Sequence, residues 1–281
     1  MTNQAEPVAM GGAFVEDTEA QARFVAHKRY LAWRRRLLPV VAVLAFLLLW
    51  WQAVVQFDIK PFIAPSPVAV ADVLVERFDM LMANLLPTAI EAILGFTLGN
   101  FAAISLATVF VWRKTAEEAL FPIAVMINTI PVVAKAPILV LLLGNGMEPK
   151  IAIAAIICFF PTLVNMTRGL RDVRAEQLEL MRILSATPRE VFFRIRVPNA
   201  LPYLFSALKI AASTAVIGAI VGEWIGSTVG IGALIIQSTY NFDSAMLYAT
   251  VIVGSAFSVT FFLTITLIER LVVRWHPPTA T

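Results

Sequence analysis

Six apolar stretches, each long enough to cross a bilayer as a helix, divide this chain near Leu37 to Val55, Thr88 to Trp112, Ala119 to Leu143, Ile151 to Met166, Tyr203 to Gly222 and Met246 to Ile268. A hydrocarbon layer about 30 Å thick accepts only backbone whose polar groups pair internally, and about 20 apolar residues meet that condition as a helix. Composition agrees, since 59% of the 281 residues are hydrophobic and only 15% are charged, beyond what a soluble domain carries. The sequence therefore predicts an all-α integral membrane protein with about six transmembrane helices. Residues 37–275 form the one integral domain, between a polar N-terminal tail, 1–36, and a short C-terminal tail, 276–281. The first apolar run lies too deep and is too long for a cleaved signal peptide, so it is expected to stay as an anchor.

Lysine and arginine beside short loops resist translocation, so their distribution sets orientation. With both termini cytoplasmic, 17 of the 22 basic residues fall inside: Arg23, Lys28, Arg29, Arg34, Arg35, Arg36, Arg113, Lys114, seven arginines from Arg168 to Arg196, Arg270 and Arg274. Lys60, Arg77 and Lys150 remain outside, while Lys135 and Lys209 lie within spans. The basic balance thus reflects membrane orientation, and no nucleic-acid partner is called for.

Several chemistries lack their residues. The single cysteine, Cys158, sits inside the fourth span and excludes an internal disulfide or a cysteine-based metal cluster. His27 and His276 lie near the two ends, leaving no base or zinc ligand at depth, and every aspartate lies at or beyond a span end. No GxxxxGK[ST] phosphate loop is present, and the glycines around Gly144 and Gly230 read as helix-end punctuation. No metal or cofactor is expected, and ATP, if used, must be hydrolysed by another subunit.

Between the fourth and fifth spans, Arg168 to Pro202 is too charged for lipid and too regularly patterned for a slack tether. Leu170, Val173, Leu180 and Leu184 recur at helical spacing, which predicts a surface helix. Thr187, Pro188 and Glu190 form a capping box with proline at the first helical position, so a second short helix begins there. Pro198 and Pro202 are expected to break it and launch the fifth span. This knob has the form of an element that grips another protein.

The segment resembles the coupling loop of ABC-importer permeases, whose motif is EAA, three residues, Gly, nine residues, Ile, one residue, Leu-Pro. Glu179 stands at the glutamate, Leu180 and Met181 at the alanines, Ser185 at the glycine, Ile195 at the isoleucine and Val197-Pro198 at the Leu-Pro. Four of these seven positions depart from the consensus. The resemblance extends from about Ile63 to Trp275, through Pro65-Ser66-Pro67, Gly95-Phe96, Ile130-Pro131, Ala136-Pro137, Phe159-Phe160-Pro161, Ala200-Leu201-Pro202 and GEWIGSTVGIGALI from Gly222. It is similar to the permeases of nitrate, sulfonate, bicarbonate and thiamine-precursor importers. That family implies the type I ABC-importer permease fold with a cytoplasmic coupling helix, in the bacterial inner membrane. It also implies a second permease copy in a homodimer, ABC ATPase subunits, and an external binding protein that delivers a small polar or anionic solute. Glu179, Leu180, Met181, Arg182, Leu184, Ser185 and Thr187 would then couple to the ATPase, with Leu180 and Leu184 packing into its groove. The run from Pro202 to Gly232 looks closer to members handling thiamine-precursor pyrimidines or riboflavin.

Candidates for lining a path are Lys135, Glu223 and Asn128. A charge at depth costs about 2.5 to 3.5 kcal/mol on insertion scales, so Lys135, between Pro131 and Pro137 where the third helix is expected to break, needs a partner or a solute. Glu223 opens a Gly-rich turn and either lines the path or is capped by backbone donors. Glu91 is placed at the outer interface, and Lys209 is close enough to the inner end to snorkel. A secondary transporter working without ATP is the alternative, but it predicts inverted repeats that this sequence does not display.

Overall fold

The computed structural model describes residues 11–274, in two units divided between Lys60 and Pro61. Residues 1–10, His276, Trp275 and the 276–281 tail lie outside the described residues. The first unit is a single helix, α1 (Gly11–Gln56), whose apolar part Leu37–Gln56 is long enough to span a membrane. Residues 11–36, expected as a polar tail, are the leading half of that helix.

The second unit opens with α2 (Pro67–Glu76), where the Ser66 hydroxyl accepts the Ala69 N–H at 3.2 Å and Pro67 occupies the first turn. Proline there forfeits no hydrogen bond, and the serine satisfies an orphan donor. The chain continues through α3 (Phe78–Trp112), α4 (Lys114–Thr129), α5 (Val132–Leu143), α6 (Glu148–Arg171), α7 (Ala175–Ile183), α8 (Pro188–Val191), a π-helical turn (Phe192–Arg196), α9 (Val197–Glu223), α10 (Ile231–Tyr240) and α11 (Ser244–Val272). Among the described residues five helices are long and apolar enough to cross a membrane, and six if α4 and α5 together count as one.

That pair covers the apolar run from Ala119 to Leu143, where a broken third helix is expected. α4 and α5 meet at 102°, with Ile130 extended at φ −66, ψ 127. Pro131 imposes this, because its ring disfavours helical backbone in the preceding residue and it has no N–H to continue the ladder. The expected break between Pro131 and Pro137 is confined to Ile130-Pro131, and Pro137 lies within α5.

α3, α6 and α9 form the centre. Lipid gives helices little hydrophobic reason to associate, so close backbone approach and polar pairs must hold them. A Cβ on Gly99 would overlap the Ala155 carbonyl, and one on Gly218 would lie 2.8 Å from Ala154 Cα. Ala92, Cys158, Ala211, Ala215 and Ala219 fill the middle. Toward the end bearing the charged loop, Phe110, Leu163, Leu170 and Phe192 pack among alanines. Thr162 donates to Asn100 Oδ1 at 2.5 Å, joining α6 to α3 in the interior. Lys209, expected to snorkel, instead meets Glu269 of α11 at 2.8 Å. α11 is capped by Asp243, which accepts the Met246 N–H at 3.0 Å.

Candidate functional site

The charged loop is built as a stopped helix followed by a capped one. α6 ends at Arg171 and residues 172–174 leave the helix before α7 starts at Ala175. The expected stripe of Leu170, Val173, Leu180 and Leu184 is therefore split, with Leu170 fully buried in the last turn of α6. α7 terminates in a Schellman turn: Ala186 N–H donates to Met181 O and Ser185 N–H to Arg182 O, both at 2.9 Å. Ser185 lies in the left-handed region, φ 53, the conformation that this turn demands and that glycine adopts without cost. Glycine in the aligned motif and positive φ here are thus one physical requirement.

Thr187 begins the return. Its hydroxyl accepts the Glu190 N–H at 3.3 Å while Glu190 Oε2 accepts the Thr187 N–H at 2.9 Å. α8 then runs through the π turn into α9 with no break, which corrects the expectation that Pro198 and Pro202 interrupt it. In the π turn Val197 N–H bonds to Phe192 O five residues back. The widened turn stands immediately before Pro198, which in a regular helix would strip the bond to Arg194 O and crowd that carbonyl.

The base of the loop is clamped by side chains to which the sequence assigned no such role. Arg196 donates to Leu170 O at 2.8 Å, and Asn199 Nδ2 donates to Gly169 O at 3.0 Å and Asp172 O at 2.7 Å. The Tyr203 hydroxyl donates to the Asp172 carboxylate. Arg171 forks onto both oxygens of Glu117 and reaches Phe110 O at 3.2 Å, tying α6 to α4 and α3. The exit of α6 is thereby fixed to α9.

Above this base the loop presents apolar side chains outward. Leu180 is 55% exposed, Ile183 80% and Leu184 64%. Glu179, Arg182, Ser185 and Thr187 are exposed around them, whereas Met181 is buried in the chain itself. Ile183, absent from the aligned motif, is the most exposed of these apolar residues.

The three path candidates separate. Asn128, exposed, and Lys135, half-buried, lie on either side of the Ile130-Pro131 bend. Glu223 is elsewhere and 1% exposed, so it faces its own chain rather than an aqueous path. Its Oε1 accepts the Thr88 hydroxyl at 2.6 Å, and its Oε2 accepts the Gly232 N–H at 2.5 Å. Thr88 also accepts the Ile231 N–H at 2.8 Å, and Asn84 accepts the Gly230 N–H at 2.9 Å. Gly230, at φ 113, has no room for a Cβ against the Glu223 carboxylate. Two further charges join Glu223. Glu91, expected at an interface, is 1% exposed, which corrects that expectation, and Lys150, counted on the outer side, is 6% exposed and stands 3.5 Å from Glu91 Oε1. Lys150 donates to Ser227 at 2.9 Å.

Comparison with known proteins fits this architecture. Residues 95–275 match the family described as binding-protein-dependent transport system inner membrane component. The formylaminopyrimidine transport permease protein ThiX of Halalkalibacterium halodurans is 32% identical over 231 residues, covering 82% of this chain and 92% of its own. The riboflavin transport system permease protein RibX of Chloroflexus aurantiacus is 34% identical over 242 residues, 85% and 90% respectively. The fold is similar to a chain of the inward-facing methionine ABC transporter MetNI, with a TM-score of 0.60 at 18% identity over 70% of this chain and 97% of that one. The matched helices are those just described, from the second half of α3 to the end of α11, and the chain belongs to this family as the multi-pass membrane permease subunit of an ABC importer, with ATP hydrolysis on a separate subunit.

Proposed function

We propose that residues 172–197 are the surface through which ATPase subunits drive this permease, that two copies enclose the path, and that the solute is a planar nitrogen heterocycle. The observation that carries the coupling role is the clamped base beneath an exposed apolar crest: Leu180, Ile183 and Leu184 are free to enter a partner's groove, while Arg196, Asn199 and Tyr203 fix the loop to α6 and α9. A rigid handle passes a partner's motion to the helices; a slack one would absorb it. Glu179, Arg182, Ser185 and Thr187 supply the polar rim of that surface. In the proposed orientation both termini and this loop are cytoplasmic, in a bacterial inner membrane, and an external binding protein delivers the solute opposite. Asn128 and Lys135 flank the bend of α4 and α5 and line the path. The substrate class rests on the pyrimidine and flavin named for two of the relatives above 30% identity.

The test is reconstitution with the cognate ATPase and binding protein in proteoliposomes. Glu179→Arg is expected to lower solute uptake per ATP hydrolysed about tenfold, equivalent to about 1.4 kcal/mol, with the complex still assembled. Wild-type coupling in that variant overturns the handle. Thermal shift of the binding protein is expected with pyrimidines or flavins; a shift confined to sulfonates or nitrate overturns the substrate class while leaving the handle intact.

A further inference from the structure

The buried cluster of Glu91 on α3, Lys150 on α6 and Glu223 on α9 contains two carboxyl groups and one ammonium. The charged groups that face Glu91 are Lys150, 3.5 Å away, and the Glu223 carboxyl. α10 contributes backbone N–H groups, and the 224–230 segment contributes Ser227. With both carboxyls ionised the cluster would hold a net negative charge in a site closed to water, which is costly without a compensating partner.

The hydrogen bonds distinguish the two. Glu223 has a donor on each oxygen, from Thr88 and from Gly232 in the first turn of α10, where the helix dipole favours an anion. Glu91 has Lys150 near Oε1, but its Oε2 is buried with no hydrogen-bond partner among the described residues. An ionised oxygen there would be stranded. A protonated one becomes a donor, and the Glu223 carboxylate beside it is an acceptor.

We propose that Glu91 is a proton-binding site, its proton lying on Oε2 and shared with Glu223, so that the cluster holds one ammonium, one carboxylate and one carboxylic acid with no net charge. In that state it fastens the 224–230 segment and the start of α10 to α3 and α6. The proposal is independent of the coupling role assigned to residues 172–197.

Infrared spectroscopy of the purified full-length permease in lipid nanodiscs tests this at neutral pH. The wild type is expected to show a protonated-carboxyl C=O band that shifts with carbon-13 glutamate labelling, and Glu91→Gln is expected to lose it. Glu91→Gln is also expected to keep the wild-type Tm, since glutamine offers an N–H donor in the same shape. Glu223→Gln is expected to lower Tm, because its amide NH2 stands where an oxygen accepts the Thr88 hydroxyl or the Gly232 N–H. Absence of the band in wild type overturns the proposal, and so does a Glu91→Gln chain that unfolds as readily as Glu223→Gln. A wild-type Tm that rises with sodium, without such a band, would assign the site to a metal cation and equally overturn it.

Discussion

Lys135 carries an ammonium into the first turn of a twelve-residue helix, half-buried beside the bend of α4 and α5. Among the described residues Lys135 makes no ion pair, so within one chain it is left to water, carbonyls or a passing solute. Lys135→Met is expected to reduce uptake severalfold while leaving complex stability unchanged or raised, as transport and Tm measured together would show. Unimpaired uptake would remove Lys135 from the path. This lysine was legible in the sequence because a charge in an apolar run needs a reason. Glu91 and Lys150 were not, although each stands in the same sequence, because depth read along a single helix put Glu91 at an interface and Lys150 outside. Their burial arises where the start of α6 and the end of α9 converge on α3, an arrangement that no one segment encodes.

At the scale of elements, the stop of α7 is the most exacting local feature. A left-handed residue with a Cβ costs about 1 to 2 kcal/mol, and Ser185 bears that cost where the family motif has glycine. Ser185→Gly is expected to raise Tm slightly and slow amide exchange across Ala175–Ile183, with coupling preserved. Ser185→Val, β-branched and poorly suited to positive φ, is expected to destabilise α7 by about 1 to 2 kcal/mol and to lower uptake per ATP; equal exchange rates in the two variants would contradict the assignment. The capping box at Thr187 was plain in the sequence because its partners are three residues apart. The helical stripe from Leu170 to Leu184 misled, since periodicity does not register the three non-helical residues at 172–174. Pro198 and Pro202 misled in the opposite sense, because a π turn absorbs the bond that proline removes. The break near Pro131 was legible from the proline itself, but the 102° angle between α4 and α5 was not, because it depends on packing against other helices.

For the whole molecule, the proposed orientation places residues 172–197 in the cytoplasm. In a Cys158→Ala background, a cysteine placed at the exposed Arg182 is expected to react with a membrane-impermeant maleimide in inside-out vesicles and not in right-side-out ones. A cysteine at the exposed Asn145, between α5 and α6, is expected to show the reverse. The opposite pattern would invert the topology and separate the loop from any cytoplasmic motor.

From Pro188 to Glu223 the backbone is helical over 36 residues, about 54 Å at 1.5 Å per residue. This single axle begins at the capped loop and ends at the Glu223 carboxylate. Under the proposed coupling role, a turn or push applied at one tip would emerge at the other, reduced by what the axle gives along the way. The five-residue π turn interrupts its regular ladder, so under the proposed coupling role the stiffness of Phe192–Arg196 would set how faithfully torque travels along the axle.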